Sequence, residues 1–149
     1  MAGTGYFAIP ALDYIRPNGK LFAADVSEEM LLEFKRRITG KENDIEYVIC
    51  GHDSVPLSDR ITDKILLAFV FHEIDNKEKY LRELFRLSKN TGLIAIVEWE
   101  KVQSPLGPSL GERLGYDDLS RILDTANVTD RIYKRLNHYQ YMCLIGNRG

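Results

Sequence analysis

The stretch Lys20-Leu21-Phe22-Ala23-Ala24-Asp25-Val26-Ser27-Glu28-Glu29-Met30-Leu31 decides the architecture. Its first half, Lys20–Ala24, is a short apolar run that reads as a β-strand and ends on the acid Asp25. Its second half opens a helix. Ser27 is an N-cap residue, whose hydroxyl can accept a backbone N–H, and Glu28 and Glu29 fall in the first turn beside the positive end of the helix dipole. Met30, Phe34 and Ile38 then recur at four-residue spacing, one face of a helix. Gly40 stands just past its expected end.

The same alternation runs outward in both directions. Upstream, Gly5 to Ile15 reads as a helix with Pro10 tolerable near its first turns, followed by the turn Arg16-Pro17-Asn18-Gly19. Downstream, Ile45–Cys50 is a strand. Asp63–Phe71 is a nearly continuous apolar strand, the pattern of burial on both faces of a parallel sheet. Lys77–Leu87 is an amphipathic helix with Tyr80, Leu81, Leu84 and Phe85 on one face. Gly92–Glu98 is a strand and Tyr116–Ala126 a helix opened by Asp117 and Asp118. Val128–Leu136 and Tyr139–Gly146 are strands joined at Asn137-His138 as a hairpin. Ser104–Gly115, with Pro105, Gly107, Pro108, Gly111 and Gly115, is the one long irregular loop and reads as mobile. Strand–helix alternation with a final hairpin predicts a doubly wound α/β fold, a mostly parallel sheet with a C-terminal antiparallel hairpin. Ligands on such sheets bind at the carboxyl ends of the strands.

Composition narrows the function. A chain of 149 residues is expected to form a single domain over 1–149. It is 44% hydrophobic and 28% charged, enough to bury a core. Lys and Arg number 20 against 22 acids, a net charge of −2, which argues against a nucleic-acid surface. No apolar run reaches the roughly 18–20 residues of a membrane span, and Ile65–Phe71 is the longest. Gly, Tyr, Pro and Asp interrupt the first fifteen residues, so no signal peptide is read there. Cys50 and Cys143 sit in apolar runs and are expected to be inert core thiols. The expectation is a soluble cytoplasmic domain without nucleic-acid or membrane partners.

Five features could carry chemistry. Ala2-Gly3-Thr4-Gly5 enters a helix, where glycines allow close backbone approach to a ligand; a simple turn is the alternative. Asp25, about twenty residues on, could accept hydrogen bonds from both hydroxyls of a ribose, or could cap the helix that follows. Together they suggest a nucleoside ligand. In Gly51-His52-Asp53-Ser54-Val55-Pro56-Leu57, Asp53 could accept from an adenine amine or be a solvated loop acid. Phe69-Val70-Phe71-His72-Glu73 ends the most apolar strand, so His72 could orient a substrate or act as a base, or be a structural histidine. No His, Cys and acid spacing supports a metal site. In Glu98-Trp99-Glu100-Lys101, the lone Trp99 could touch substrate or pack under the loop.

These residues together resemble the class I S-adenosylmethionine-dependent methyltransferases, and within them the small-molecule branch with ubiquinone/menaquinone- and arsenite-type enzymes. Ala2-Gly3-Thr4-Gly5 is similar to the tail of the family's acid-x-Gly-x-Gly-x-Gly loop. Ala24-Asp25-Val26-Ser27-Glu28-Glu29-Met30-Leu31 is the most specific match. Asp53-Ser54-Val55-Pro56-Leu57 with Asp63, and Phe69-Val70-Phe71-His72-Glu73, resemble the segments flanking the family's fourth strand. The resemblance implies a Rossmann-like methyltransferase fold, S-adenosylmethionine as cofactor, and methyl transfer to a small-molecule acceptor that the sequence does not identify. It implies that Gly3, Thr4 and Gly5 face the methionine part, Asp25 the ribose, and Val26, Met30, His52 and Asp53 the adenine. Ala68 and Phe69 would line the sulfonium side, and His72 would be the base where the acceptor must lose a proton. Tyr6, His72 and Trp99 are candidate substrate contacts, with Tyr116 a further aromatic.

Met1 stands where the family has the first glycine of that loop, so the expected first strand is missing from the sequence as given. Its absence would open two inner sheet edges, each buried orphan group costing about 1–3 kcal/mol. Upstream chain, a partner chain or second copy (a homo-oligomer), or a rearranged sheet would meet that cost. Two alternatives stay open: a non-catalytic methyltransferase-like module completed by a partner chain, and an NAD-type oxidoreductase, since a glycine turn and a strand-end acid also serve dinucleotides.

Overall fold

The computed structural model describes residues 2–15, 19–38 and 44–147. Met1, the expected turn residues Arg16, Pro17 and Asn18, and the expected helix terminator Gly40 lie outside the described residues. Contacts group the chain into two compact units, Met1–Pro56 and Leu57–Gly149.

The first unit is a βαβ arrangement. Two helical turns, α1 (Ala8–Ala11) and a 3-10 turn (Leu12–Tyr14), precede β1 (Leu21–Asp25), α2 (Glu28–Arg37) and β2 (Ile45–Ile49). The expected continuous helix from Gly5 to Ile15 is cut short at both ends. Gly5 has φ +84°, outside the helical region, and Pro10 brings no N–H to the ladder. α2 begins as read: Ser27 is extended and its hydroxyl accepts the Met30 N–H at 3.3 Å. Its buried row is Leu31 and Phe34, followed by Ile38, whereas Met30, expected on that face, is exposed. β1 and β2 pair in parallel from Leu21↔Ile45 to Asp25↔Ile49. Leu12, Ala23, Leu31, Phe34, Ile38 and Ile45 form the core between helix and strands.

The second unit holds β3 (Thr62–Ala68), α3 (Lys77–Leu87), β4 (Ser88–Trp99), α4 (Tyr116–Thr125), β5 (Arg131–Arg135) and β6 (Gln140–Gly146). Its strand order is β3-β4-β6-β5, with β3 parallel to β4 and the other two pairs antiparallel, the hairpin the sequence predicts. α3 matches its expected bounds, because Asn76 caps it by accepting the Lys79 N–H at 2.9 Å. β4 starts four residues before the expected Gly92, straight out of α3, as Ser88 pairs with Thr62. β5 starts at Arg131 rather than Val128, since the Val128 N–H donates to Leu123 O at 2.8 Å and closes α4.

β3 departs most from expectation. It stops at Ala68 rather than Phe71, because Phe69 takes a left-handed conformation with φ +58° and Phe71–Glu73 coil into a 3-10 turn. Nor is it buried on both faces: Leu66 is 51% exposed. Among the described residues β1 pairs only with β2, and β3 only with β4, giving a two-stranded sheet in the first unit and a four-stranded sheet in the second.

Candidate functional site

Each unit presents a cluster at the carboxyl end of a parallel strand, built around one buried acid. In the first unit that acid is Asp25, 4% exposed at the end of β1. Asp25 Oδ2 accepts the Gly3 N–H at 2.8 Å, and Oδ1 accepts the Ser27 N–H at 2.9 Å. The carboxylate thus ties the glycine turn to the start of α2. The two bonds use half of the roughly four acceptor positions of an ionised carboxylate.

Alternation of carbonyls along β1 organises the same corner. Asp25 O accepts the Cys50 N–H at 2.9 Å on the β2 side, while Ala24 O, pointing to the other edge, accepts the Ala2 N–H at 2.8 Å. Burial first, and the charge on Asp25 second, push the Cys50 thiol up from its ordinary range.

The two glycines of the turn do different work. A Cβ on Gly3 would meet nothing within 4 Å, so this glycine faces open space. A Cβ on Gly5 would stand 2.5 Å from the Phe34 ring, so Gly5 is there to let the core close. Between them, Thr4 O and Oγ1 both accept from Arg37 Nη1 at 2.9 Å. Val26 is half-buried and Met30 is 43% exposed beside Asp25 in sequence. After β2, the Gly51 N–H donates to Ser54 O at 2.8 Å, a tight turn that carries the exposed His52 and half-buried Asp53.

In the second unit the acid is Glu98, fully buried near the end of β4. Ile94, Ile96 and Glu98 alternate along one face of β4, opposite Ile145, Cys143 and Tyr141 of β6, and all six are 0% exposed. Strand alternation calls for hydrocarbon at that third position, and a carboxylate stands there instead. Its main donors come from the 3-10 turn: His72 Nδ1 lies 3.0 Å from Oε1 and 2.9 Å from Oε2, and the His72 backbone N–H donates to Oε1 at 3.0 Å; the Trp99 N–H donates to Oε2 at 3.4 Å. Burial, then the Glu98 charge, push the Tyr141 hydroxyl far above its usual range; that hydroxyl donates to Leu114 O at 2.8 Å. Burial likewise raises the Cys143 thiol to about 11, the inert core thiol expected.

Half-buried Ala68 and strained Phe69 adjoin this cluster in sequence. The Phe69 N–H donates to Val97 O at 2.8 Å, and its ring lies 5.3 Å from Trp99. Trp99 packs under the loop: a Cβ at Gly107 would sit 2.9 Å from its ring, and the Arg113 guanidinium lies 5.2 Å from its centroid. Tyr116 stacks on Tyr133 at 4.1 Å and meets Tyr141 at 5.7 Å, a packed aromatic cluster. Tyr6, 73% exposed, lies in the first unit with its ring against Phe7. Among the described residues no group of three His, Cys, Asp or Glu could hold a metal ion, and no helix is long and apolar enough to cross a membrane.

A family model described as the ubiE/COQ5 methyltransferase family matches residues 1–142. The chain belongs to the ubiE/COQ5 methyltransferase family. Among curated relatives, it is 25% identical over 129 residues to a Bordetella avium ubiquinone/menaquinone biosynthesis C-methyltransferase, covering 79% of this chain and 50% of that protein. It is 30% identical over 106 residues to the same-named enzyme of Francisella tularensis subsp. novicida, covering 70% and 42%. The chain thus spans half or less of these relatives' length. A solved SAM dependent methyltransferase from Aquifex aeolicus superposes with a TM-score of 0.90 at 26% identity, covering 98% of this chain and 78% of that one. A type 11 methyltransferase from Sulfolobus solfataricus, at 22% identity and a TM-score of 0.79, shares the fold. S-adenosylmethionine is the cofactor of this group of methyltransferases.

Three further residues shape these clusters. For Glu98, a lone acid at an alternating position of an apolar strand is the sequence signal. Arg37 binds the Thr4 carbonyl 33 positions away and Arg113 binds carbonyls of the loop before it, and nothing in local pattern announces either.

Proposed function

We propose that this chain is an S-adenosylmethionine-dependent methyltransferase acting on a small-molecule acceptor, one methyltransferase-like domain over residues 1–149. What carries the reading is the Asp25 carboxylate bonded to the Gly3 N–H at 2.8 Å at the end of β1. A strand-end acid beside a turn without side chains is the arrangement that grips a nucleoside's ribose. Gly3 and Thr4 then offer backbone to the methionine part, with Gly5 setting the turn. Asp25 takes the ribose hydroxyls. Val26 and the exposed Met30 cover adenine, with His52 and Asp53 at its edge. In the second unit, Ala68 and Phe69 face the sulfonium side, and His72 is the base for an acceptor that must lose a proton. Trp99, held under its loop, and Tyr6 are the proposed acceptor contacts. Net charge of −2 favours small-molecule partners over nucleic acid or a membrane surface, and a cytoplasmic location is part of the same proposal.

Methyl transfer is an in-line displacement from a cationic sulfur, so positioning supplies much of the rate. The test is calorimetric titration with S-adenosylhomocysteine. Saturable binding is expected, and Asp25→Ala should weaken it by about 10- to 100-fold, the loss of a charge-assisted hydrogen bond to the ligand. A folded protein that takes up NADH but no S-adenosylhomocysteine would reverse the assignment.

A further inference from the structure

A carboxylate in the hydrocarbon row of β4 carries a large desolvation cost unless it is hydrogen-bonded and paired. Glu98 meets both needs chiefly through one residue, with a longer bond from the Trp99 N–H to Oε2 at 3.4 Å beside it. His72 gives it a backbone N–H and Nδ1 at once, so the imidazole is fixed at its Cβ end and at one ring nitrogen. The turn that carries His72 is held from the other side: Lys77 Nζ donates to Ile74 O at 2.7 Å and to His72 O at 3.3 Å. The imidazole therefore has one orientation, with Nδ1 inward.

We infer that Glu98 is the positioning residue of a histidine base, holding the His72 proton on Nδ1 so that Nε2 presents its lone pair. This rests on the methyltransferase reading above, and it adds a residue and a constraint on the acceptor. A carboxylate is an acceptor only, so a neutral imidazole facing it must carry its hydrogen on Nδ1. Nε2 is left as the basic nitrogen. Oε1 of Glu73 lies 4.0 Å from it, on a side chain that is 62% exposed.

The step then balances. The acceptor's O–H or C–H bond breaks, its proton passes to Nε2, and its electron pair forms the new bond to the methyl carbon. The carbon–sulfur bond breaks, its pair stays on sulfur, and S-adenosylhomocysteine leaves neutral. The positive charge that began on sulfur ends on the imidazolium, which Glu98 stabilises. Such a base serves an acceptor that must be deprotonated as it is methylated. An acceptor that is already a free lone pair has no use for it.

The charged and titratable groups around the pair are few. Glu73 lies on the same turn, Lys77 on α3 and Tyr141 on β6. On the loop is Glu112, whose carboxyl is lowered chiefly by its bonds at Ser109, with a lesser contribution from His72.

The test is the nitrogen-15 spectrum of the histidine rings in the full chain, with the His72 signals assigned by their loss in His72→Gln. His52 and His138 serve as internal references. The neutral wild-type ring should show hydrogen on Nδ1 and a bare Nε2. Glu98→Gln should move the hydrogen to Nε2 in a large share of molecules, because the carboxamide cannot accept every donor the carboxylate does. Glu98→Asp should restore the Nδ1–H form at least in part. Hydrogen on Nε2 in the wild type overturns the proposal, whether or not the variants fold; so does an unchanged ring in folded Glu98→Gln. Titration with S-adenosylhomocysteine separates the two readings. Binding together with a wrong tautomer removes Glu98's role alone, while a correct tautomer without binding removes the methyl-transfer use of the pair.

Discussion

Asp25 and Glu98 are both buried acids near the carboxyl ends of parallel strands, 4% and 0% exposed, yet they are satisfied in opposite ways. Asp25 receives backbone N–H groups from Gly3 and Ser27, whose hydrogens never leave. Glu98 receives an imidazole and the backbone of the same residue, with a longer bond from the Trp99 N–H. The first acid can only hold geometry and accept further hydrogen bonds, which suits a sugar. The second faces a ring nitrogen, a side-chain donor whose hydrogen can sit on either of two positions, which suits chemistry. The residue type does not separate the roles; the donors do.

That contrast can be broken by experiment. The largest effect is expected from His72→Ala, which removes the imidazole and leaves Glu98 buried with backbone N–H donors alone; it should cost about 3–5 kcal/mol in urea unfolding. A loss below about 1 kcal/mol, the value of an exposed pair, would mean that Glu98 is compensated elsewhere. Gly5→Ala comes next. Its Cβ would meet the Phe34 ring at 2.5 Å, costing about 1–3 kcal/mol, and the left-handed backbone adds about 1–2 kcal/mol. Gly3→Ala, with open space around it, should show the backbone cost alone, about 1–2 kcal/mol. Equal losses at the two glycines would sink the division of labour drawn between them.

The smallest effect is at the surface. Lys101 Nζ lies 2.7 Å from Asp118 Oδ2 and, with Arg121, holds that carboxyl below its ordinary range. A lowered folded-state value means that the stabilisation is present above the unfolded value, near 3.9, and is lost as pH falls through the folded one. Asp118→Asn should therefore cost about 0.2–1 kcal/mol at neutral pH. The deficit should fade on acidification below about pH 4. A deficit that grows on acidification would contradict the sign.

Local rules were legible wherever one short-range interaction decides the outcome. Ser27 and Asn76 cap their helices through hydroxyl or amide oxygen three residues upstream of the N–H they accept, and both helix starts were read correctly. The β5–β6 hairpin was read from two apolar runs and a turn. Where long-range contacts decide, the reading slipped. Nothing in Phe69-Val70-Phe71 marks the left-handed kink that ends β3 at Ala68. Phe69 still donates to Val97 O, 28 positions away, as the last rung of the ladder, and the chain turns there. At the candidate site, the place of Asp25 is legible because the acid closes a strand next to a cap. That of Glu98 is not, because its partner His72 reaches it only through the fold.

Arg113 carries a last consequence. Buried at 5% exposure, its guanidinium donates to Pro108 O, Val102 O, Leu106 O and Ser104 Oγ. These bonds converge from four points of one loop on a single rigid fork. No one of them can be released without leaving the cation short of partners. The segment therefore cannot fray residue by residue. It behaves as a latch with one bolt, shut or open as a whole, and Arg113→Lys, which brings a point charge where a planar fork is needed, should leave it ajar to proteases.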